Sequence, residues 1–356
     1  MPLIINGGRV PSHWAERENS RPLPSLDSPA RRAETLNLAL INNMPDAALE
    51  ATELQFFELL DIASGDLPVI IKLYSLSGVP RADRGQRHIN SFYYDFEDLW
   101  NSRLDGMIVT GTEPRETDLR NEPYWGQMAK VFNWAEENTA STVLSCLAAH
   151  ASVLHFDGIP RHRLPDKQFG VFESGKSCEH PLLSGVGGVL RFPHSRWNEL
   201  RESELTASGY LVLAKAADAG VDLFVKKKKK SLFVHFQGHP EYGAQTLLKE
   251  YRRDIRRFLG RERETYPSMP KDYFDAAAAE LLTGFRDAVL TDRREELIEG
   301  FPEGAGAGLR NTWQSSAVSI YQNWLQFLTT KRTDVSEFSA MPIVYHQASR
   351  KRSALP

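Results

Sequence analysis

STVLSC (141–146), running straight into LAAHASVLHF (147–156), is the stretch on which the fold reading turns. The first half is a short apolar run rich in β-prone residues, and the second has helical spacing. Together they describe a buried strand that ends in a cysteine where a helix begins. Working outward from this junction, LDGMIVTG (104–111) and EPYWGQMAKVFNWAEENT (122–139) repeat the strand-then-helix pattern. Further upstream LNLALIN (36–42), ALEATELQFFELLDIAS (48–64) and PVIIKLYSL (68–76) alternate in the same way. Short apolar strands separated by helices predict an α/β fold, a mostly parallel sheet with helices on both faces.

Beyond Gly158 the pattern is mixed. GVFES (170–174), VLRFP (189–193), YLVLAKA (210–216), DLFVKK (222–227) and SLFVHFQ (231–237) read as strands, some joined as hairpins. The run Lys226–Lys230 lies between the last two. A solvated turn is the plain reading of it, and a landing patch for the phosphates of a bound ligand the sharper one. Helical spacing returns over 246–262, 272–290 and 317–330, with the glycine-rich EGAGAGLRN (303–311) between the last two. This predicts an irregular N-terminal arm over 1–35, where Pro11, Pro22, Pro24 and Pro29 punctuate a polar stretch. A single body follows over 36–330, with a helical insertion at 268–310, and a polar tail closes the chain at 331–356.

The chain has 356 residues and a formal net charge of -3, with 41% hydrophobic and 25% charged residues. So balanced a charge gives no reason to expect a nucleic-acid partner. No run approaches the roughly 18 apolar residues that a membrane-spanning helix requires. The opening MPLIINGGRVPSHWAER has no basic n-region and only a short apolar stretch, so a signal peptide is not expected and the cytoplasm is the expected compartment. Two cysteines, Cys146 and Cys178, are too few for a disulfide scaffold. With scattered histidines they make no four-ligand zinc pattern, so no metal is expected.

A nucleophile at a strand-to-helix elbow is held in the open, next to helix N–H groups that can bind an oxyanion and favour a thiolate. A strand-end cysteine taken alone is as readily an inert small hydrophobe. GHPEY (238–242) sharpens the choice, because it follows the last apolar run and places His239 and Glu241 two residues apart. At a strand's end both side chains would project to one side. A histidine oriented by a carboxylate is the base half of a Cys–His–Glu triad. The order Cys, His, Glu is that of the class I glutamine amidotransferase fold, a fold-level analogy.

The chain resembles the homoserine O-acyltransferase (homoserine transsuccinylase) family, which uses an amidotransferase-like, flavodoxin-like three-layer fold. The matching motifs run in order: NMP (43–45), INSFYYDFEDL (89–99), LDGMIVTG, PYW (123–125), STVLSC, DGIP (157–160), DKQFGVFE (166–173), PHSR (193–196), GHPEY, EYRRD (250–254) and NW (323–324). The resemblance implies that Cys146 is the acyl-accepting nucleophile, His239 the general base and Glu241 its orienting acid. It implies that Lys167, Ser195 and Arg253 bind the amino-acid substrate, and a carboxylate is indeed well met by Lys or Arg. Leu147 and Gly111 are the oxyanion candidates, and Arg115 stands where the family sets its choice between acetyl and succinyl donors. His194 is read as structural.

The same resemblance implies no tightly bound cofactor, succinyl-CoA or acetyl-CoA as co-substrate, a hydroxy amino acid (homoserine first) as acceptor, a place in methionine biosynthesis, and a homodimer. The chain departs from the family at Leu147, where tryptophan is usual, at His150, where glutamine is usual, and at Asp46 and Ala47, where lysines are common. Another hydroxy amino acid as acceptor, a glutamine amidotransferase-type hydrolase, and a non-catalytic paralogue are the competing readings.

Overall fold

In the computed structural model, the described residues are Leu3–Ile5, Pro11, Trp14 and 34–339, without side chains after 331. Ten strands form one sheet in the order β1-β3-β2-β4-β5-β10-β9-β8-β6-β7. The parallel half consists of β1 (Leu3–Ile5), β2 (Leu36–Ile41), β3 (Val69–Tyr74), β4 (Gly106–Val109), β5 (Ser141–Ser145) and β10 (Ser231–Phe236). The other four are β6 (His162–Lys176), β7 (Val189–Glu199), β8 (Leu211–Ala216) and β9 (Gly220–Lys228), all paired antiparallel and continuing the sheet from β10. The run β3-β2-β4-β5-β10 has the flavodoxin-like 2-1-3-4-5 order, in which ligands bind beyond the carboxyl ends of the strands.

Alternation along the strands sorts the core into two layers. Leu38, Leu40, Ile71, Ile108, Val143 and Val234 face one side, covered by α1 (Asp46–Ser64) and α8 (Gln314–Ser339). Ala39, Ile41, Met107, Val109, Leu144 and Phe233 face the other. There they meet α3 (Trp125–Asn138) and α4 (Leu147–Asp157), so the expected sheet with helices on both faces is present. The α2 helix (Asp83–Phe92) precedes a 3-10 turn at Phe96–Asn101, and the short α5 (Glu202–Ala207) precedes β8. Gly106 owes its identity to close packing: a Cβ there would lie 2.7 Å from Leu328 Cδ1.

The α6 helix (Thr246–Leu259) builds a separate apolar cluster with the segment after it. Its Tyr251, Ile255 and Phe258 pack with Leu282 and Val289 of α7 (Ala276–Thr291), Phe301 and Trp313. Within the expected insertion at 268–310 lie α7 and two 3-10 turns, at Glu295–Gly300 and Glu303–Gly306.

The termini differ in part from the sequence reading. Within the expected irregular arm, Leu3–Ile5 forms the edge strand β1 beside β3, and the Trp14 ring packs edge-on against Phe57 at 5.5 Å. The rest of 1–33 lies outside the described residues. Within the expected polar tail, α8 continues to Ser339, and 340–356 lie outside the described residues.

The lysine run also finds its place. Leu232 pairs with Ser141 and Phe236 with Ser145, so the β9–β10 turn sits at the amino end of the parallel strands, across the sheet from Cys146. Lys226 binds Asp157 at 2.6 Å and Lys229 binds Glu137 at 3.1 Å. These local pairs on the edge away from the cysteine correct the phosphate-landing reading and leave a solvated turn. No helix among the described residues is long and apolar enough to cross a membrane.

Candidate active site

Four strand ends converge at the carboxyl edge of the parallel half. The β2 strand leads into Asn42–Pro45, β4 into Thr110 and Gly111, β5 into Cys146, and β10 into the 238–242 loop. Cys146 is the residue before α4, with φ 51° and ψ -109°. A non-glycine residue in that region carries on the order of 1–3 kcal/mol of strain. Its N–H continues the ladder by donating to the Phe236 carbonyl at 2.8 Å, while its own carbonyl accepts from Ala149 at 3.0 Å. The elbow is thus locked from both sides, and the helix N-terminus starts at the next residue. Gly111 fits tightly against that terminus. A Cβ on it would lie 2.5 Å from Leu147 Cβ and 3.0 Å from Leu147 N.

His239 and Glu241 lie on a turn beyond β10, not on the strand, and this corrects the reason for their common side. The turn is pinned from three directions. The His239 N–H donates to Pro193 O on β7 at 2.8 Å, and Gly238 N–H to Asp222 Oδ1 on β9 at 3.1 Å. Trp313 Nε1 donates to Tyr242 O at 2.8 Å. Within this frame His239 Nδ1 meets Glu241 Oε1 at 2.9 Å, and Ser145 Oγ donates to the same oxygen at 3.0 Å. The Tyr242 ring stacks on the imidazole, centroids 4.2 Å apart. Burial works against a charge on His239. The negative charges of Cys146 and Glu241, and hydrogen bonds to both, outweigh it and hold the imidazole well above its ordinary pKa. Cysteine, histidine and carboxylate are therefore brought together as an interacting line.

Tyr242 links this line to a second cluster. Its hydroxyl donates to Glu250 Oε1 at 2.6 Å, and the Ser195 hydroxyl donates to the other carboxylate oxygen, Oε2. Lys167 Nζ lies 2.8 Å from Asp254 Oδ2 and 3.8 Å from Glu250 Oε2. Arg253 binds Asp254 at 3.0 Å and keeps 45% of its side-chain surface exposed. Although burial raises a carboxyl pKa, Lys167 and Arg253 beside Asp254 bring it below the usual range. Lys167, Ser195 and Arg253, from three separate segments, thus surround one pair of acids.

Those acids escaped the sequence reading, although Glu250, Arg253 and Asp254 share a helix face at i, i+3 and i+4, a spacing that can be read directly. Arg257, one turn on, grips Glu113 with two bonds of 3.0 and 3.1 Å and so ties α6 to the loop after Gly111. Arg115, in that loop, is exposed, and its backbone N–H donates to Glu122 Oε1 at 2.6 Å.

Beneath the 238–242 loop lies a buried polar layer. Asp222 accepts from Ser174 Oγ and from His194 Nε2, each at 3.3 Å, while His194 Nδ1 accepts from Arg196 Nε at 3.1 Å. The structural reading of His194 agrees with this geometry, and burial pushes its pKa down. His150, on α4, bonds Gln237 at 3.0 Å, and burial together with the Arg196 and Arg161 charges lowers its pKa to about 3. It is a neutral packing residue at this site. Among the described residues, no group of three or more His, Cys, Asp or Glu side chains could hold a metal ion.

The chain is similar to known proteins along most of its length. The model of a family described as homoserine O-succinyltransferase matches residues 2–335. A homoserine O-succinyltransferase of Rhodopseudomonas palustris is 45% identical over 304 residues, covering 84% of this chain and 90% of that protein. Another, of Methylorubrum extorquens, is 42% identical over 297 residues, covering 83% and 88%. Among solved structures, a glutamine amidotransferase from Methylobacillus flagellatus aligns over 83% of this chain and 95% of its own, with TM-score 0.46 and 13% identity. Matched along nearly its whole length by the family and by relatives at this level of identity, the chain belongs to the homoserine O-succinyltransferase family.

Proposed function

We propose that this protein transfers the succinyl group of succinyl-CoA to the hydroxyl of L-homoserine through a thioester on Cys146, a step of methionine biosynthesis. The observation that carries the mechanism is the Cys146–His239–Glu241 line at a strained elbow, where Glu241 meets His239 Nδ1 at 2.9 Å and the imidazole pKa is raised well above its ordinary value. The Cys146 thiolate attacks the thioester carbonyl carbon, and the oxyanion sits against the Leu147 N–H and the loop after Gly111. As the intermediate collapses, the bond from carbon to the coenzyme sulfur breaks, and His239 gives that sulfur its proton. This leaves His239 neutral and the acyl group on Cys146. One thioester has replaced another, so positioning is the main requirement of this half.

Homoserine then enters. Arg253 meets its carboxylate and Glu250 its ammonium, a pairing that suits a zwitterion. His239 takes the hydroxyl proton as the oxygen attacks the acyl carbon, and the Cys146 thiolate leaves. Glu241 orients the ring and stabilises its charged form throughout. No tightly bound cofactor enters the cycle, and the homodimer implied by the family completes the reading. The test is intact-protein mass spectrometry with succinyl-CoA, followed by homoserine. A succinyl adduct that is absent in Cys146→Ala and discharged by homoserine is expected. A folded protein that succinyl-CoA leaves unlabelled would overturn the reading.

A further inference from the structure

We propose that Arg161, tied to the loop after Gly111, binds the free carboxylate of the succinyl group and so selects a dicarboxylic acyl donor. This rests on the succinyl-transfer reading above and deepens it. Arg161 follows α4, the helix that starts at the nucleophile, and is only partly exposed. Its guanidinium donates to the carbonyls of Glu116 and Thr117 at 2.9 and 3.1 Å, both bonds from Nη2. Among the described residues these are its hydrogen bonds, so Nη1 and Nε keep their N–H groups for another acceptor.

Glu122, an acidic group that acts on Arg161, is a poor competitor for it. Glu122 is buried and commits Oε1 to the N–H groups of Arg115 and Glu116, at 2.6 and 2.7 Å. Burial lowers the Arg161 pKa while Tyr124, Glu122 and Cys146 act the other way, so the nucleophile lies within electrostatic reach of this cation. The loop that anchors Arg161 also begins at Gly111, against Leu147 N, where the carbonyl oxygen of the donor would sit. Two methylenes separate that carbonyl from the succinyl carboxylate, a span of about 5 Å at ordinary bond lengths. A half-buried guanidinium with three open N–H groups, two on Nη1 and one on Nε, is suited to a carboxylate, and a donor that lacks the carboxylate leaves it uncompensated. Arg115 is exposed, where water weakens any such preference.

The test compares single-turnover release of coenzyme A from succinyl-CoA and from acetyl-CoA in wild type and Arg161→Leu. For Arg161→Leu, kcat/KM for succinyl-CoA should fall on the order of 100-fold, as expected for a lost charged hydrogen-bonded pair. Acetyl-CoA turnover should change less than about threefold. Equal losses on both donors would reduce Arg161 to a loop tether and overturn the proposal, as would an unchanged ratio. Arg161→Lys, which keeps charge and reach, should retain part of the preference and serves if the leucine variant does not fold. A wild-type protein that succinyl-CoA never acylates would overturn the functional reading itself, a result distinct from a labelled wild type with an Arg161-independent ratio.

Discussion

At the residue scale, the site depends on two short-range constraints. Gly111 has no space for a side chain, since its Cβ would press on Leu147 Cβ at 2.5 Å. Gly111→Ala should therefore push the loop away from the helix N-terminus and lower the rate of Cys146 acylation by roughly 100-fold or more, the size of a lost oxyanion donor. Melting temperature and rapid-quench acylation, measured together, separate that loss from unfolding. His239 supplies the second constraint. Burial alone would lower its pKa, and the neighbouring Cys146 and Glu241 reverse the sign. A folded-state pKa above the unfolded value means that the native protein binds this proton more tightly. The associated stability is complete below the unfolded pKa of about 6.5 and is lost as pH rises through the raised native value. In Glu241→Gln the His239 pKa should fall, as read by its imidazole NMR shifts over pH. A pKa unmoved by the substitution would mean that Glu241 does not hold the proton on the ring.

At the scale of elements, the proposed reaction makes α6 the acceptor side and the β5–α4 elbow the donor side. Glu250, Arg253 and Asp254 share one face of α6 and reach the Cys146–His239–Glu241 line through Tyr242, which donates to Glu250 and stacks on His239. Removing Arg253 leaves the elbow intact. Arg253→Ala should thus raise KM for homoserine by about 10- to 100-fold, the usual effect of losing a charge-assisted bond. Succinylation of Cys146 in the absence of homoserine should keep its wild-type rate. If the rate of acylation drops by as much as the second half-reaction, α6 is not a separate acceptor element. This division into halves was only partly legible beforehand. The elbow could be read because strand, cysteine and helix are contiguous. The facing pair of acids, Glu250 and Asp254, could not be singled out, because a charged helix face looks alike whether it meets solvent or a substrate.

At the scale of the whole molecule, the apolar cluster between α6, α7 and Trp313 joins the segment 268–310 to α6. Leu282 is fully buried there. Leu282→Ala should cost about 2–5 kcal/mol of stability through the cavity it leaves. If the segment folds with the body, denaturant unfolding followed by fluorescence and by homoserine-dependent activity should shift together. Two separated transitions would make 268–310 an independent unit.

The parallel half of the sheet, the elbow cysteine and the GHPEY motif were readable because each is encoded locally, in apolar periodicity and in the residues that end a strand. Pairing was not. SLFVHFQ looks like one more hairpin strand, yet β10 joins β5 in parallel and β9 antiparallel, and only that placement sets His239 beside Cys146, some ninety residues earlier in the chain. The reason is physical. Strand periodicity says which face of a strand is buried, whereas its neighbour is chosen by long-range packing of both faces at once. The same limit explains the lysine run and Arg161: a cation's sequence neighbourhood does not reveal which edge of the sheet it faces or which charges surround it, and these contacts exist only once the sheet has closed.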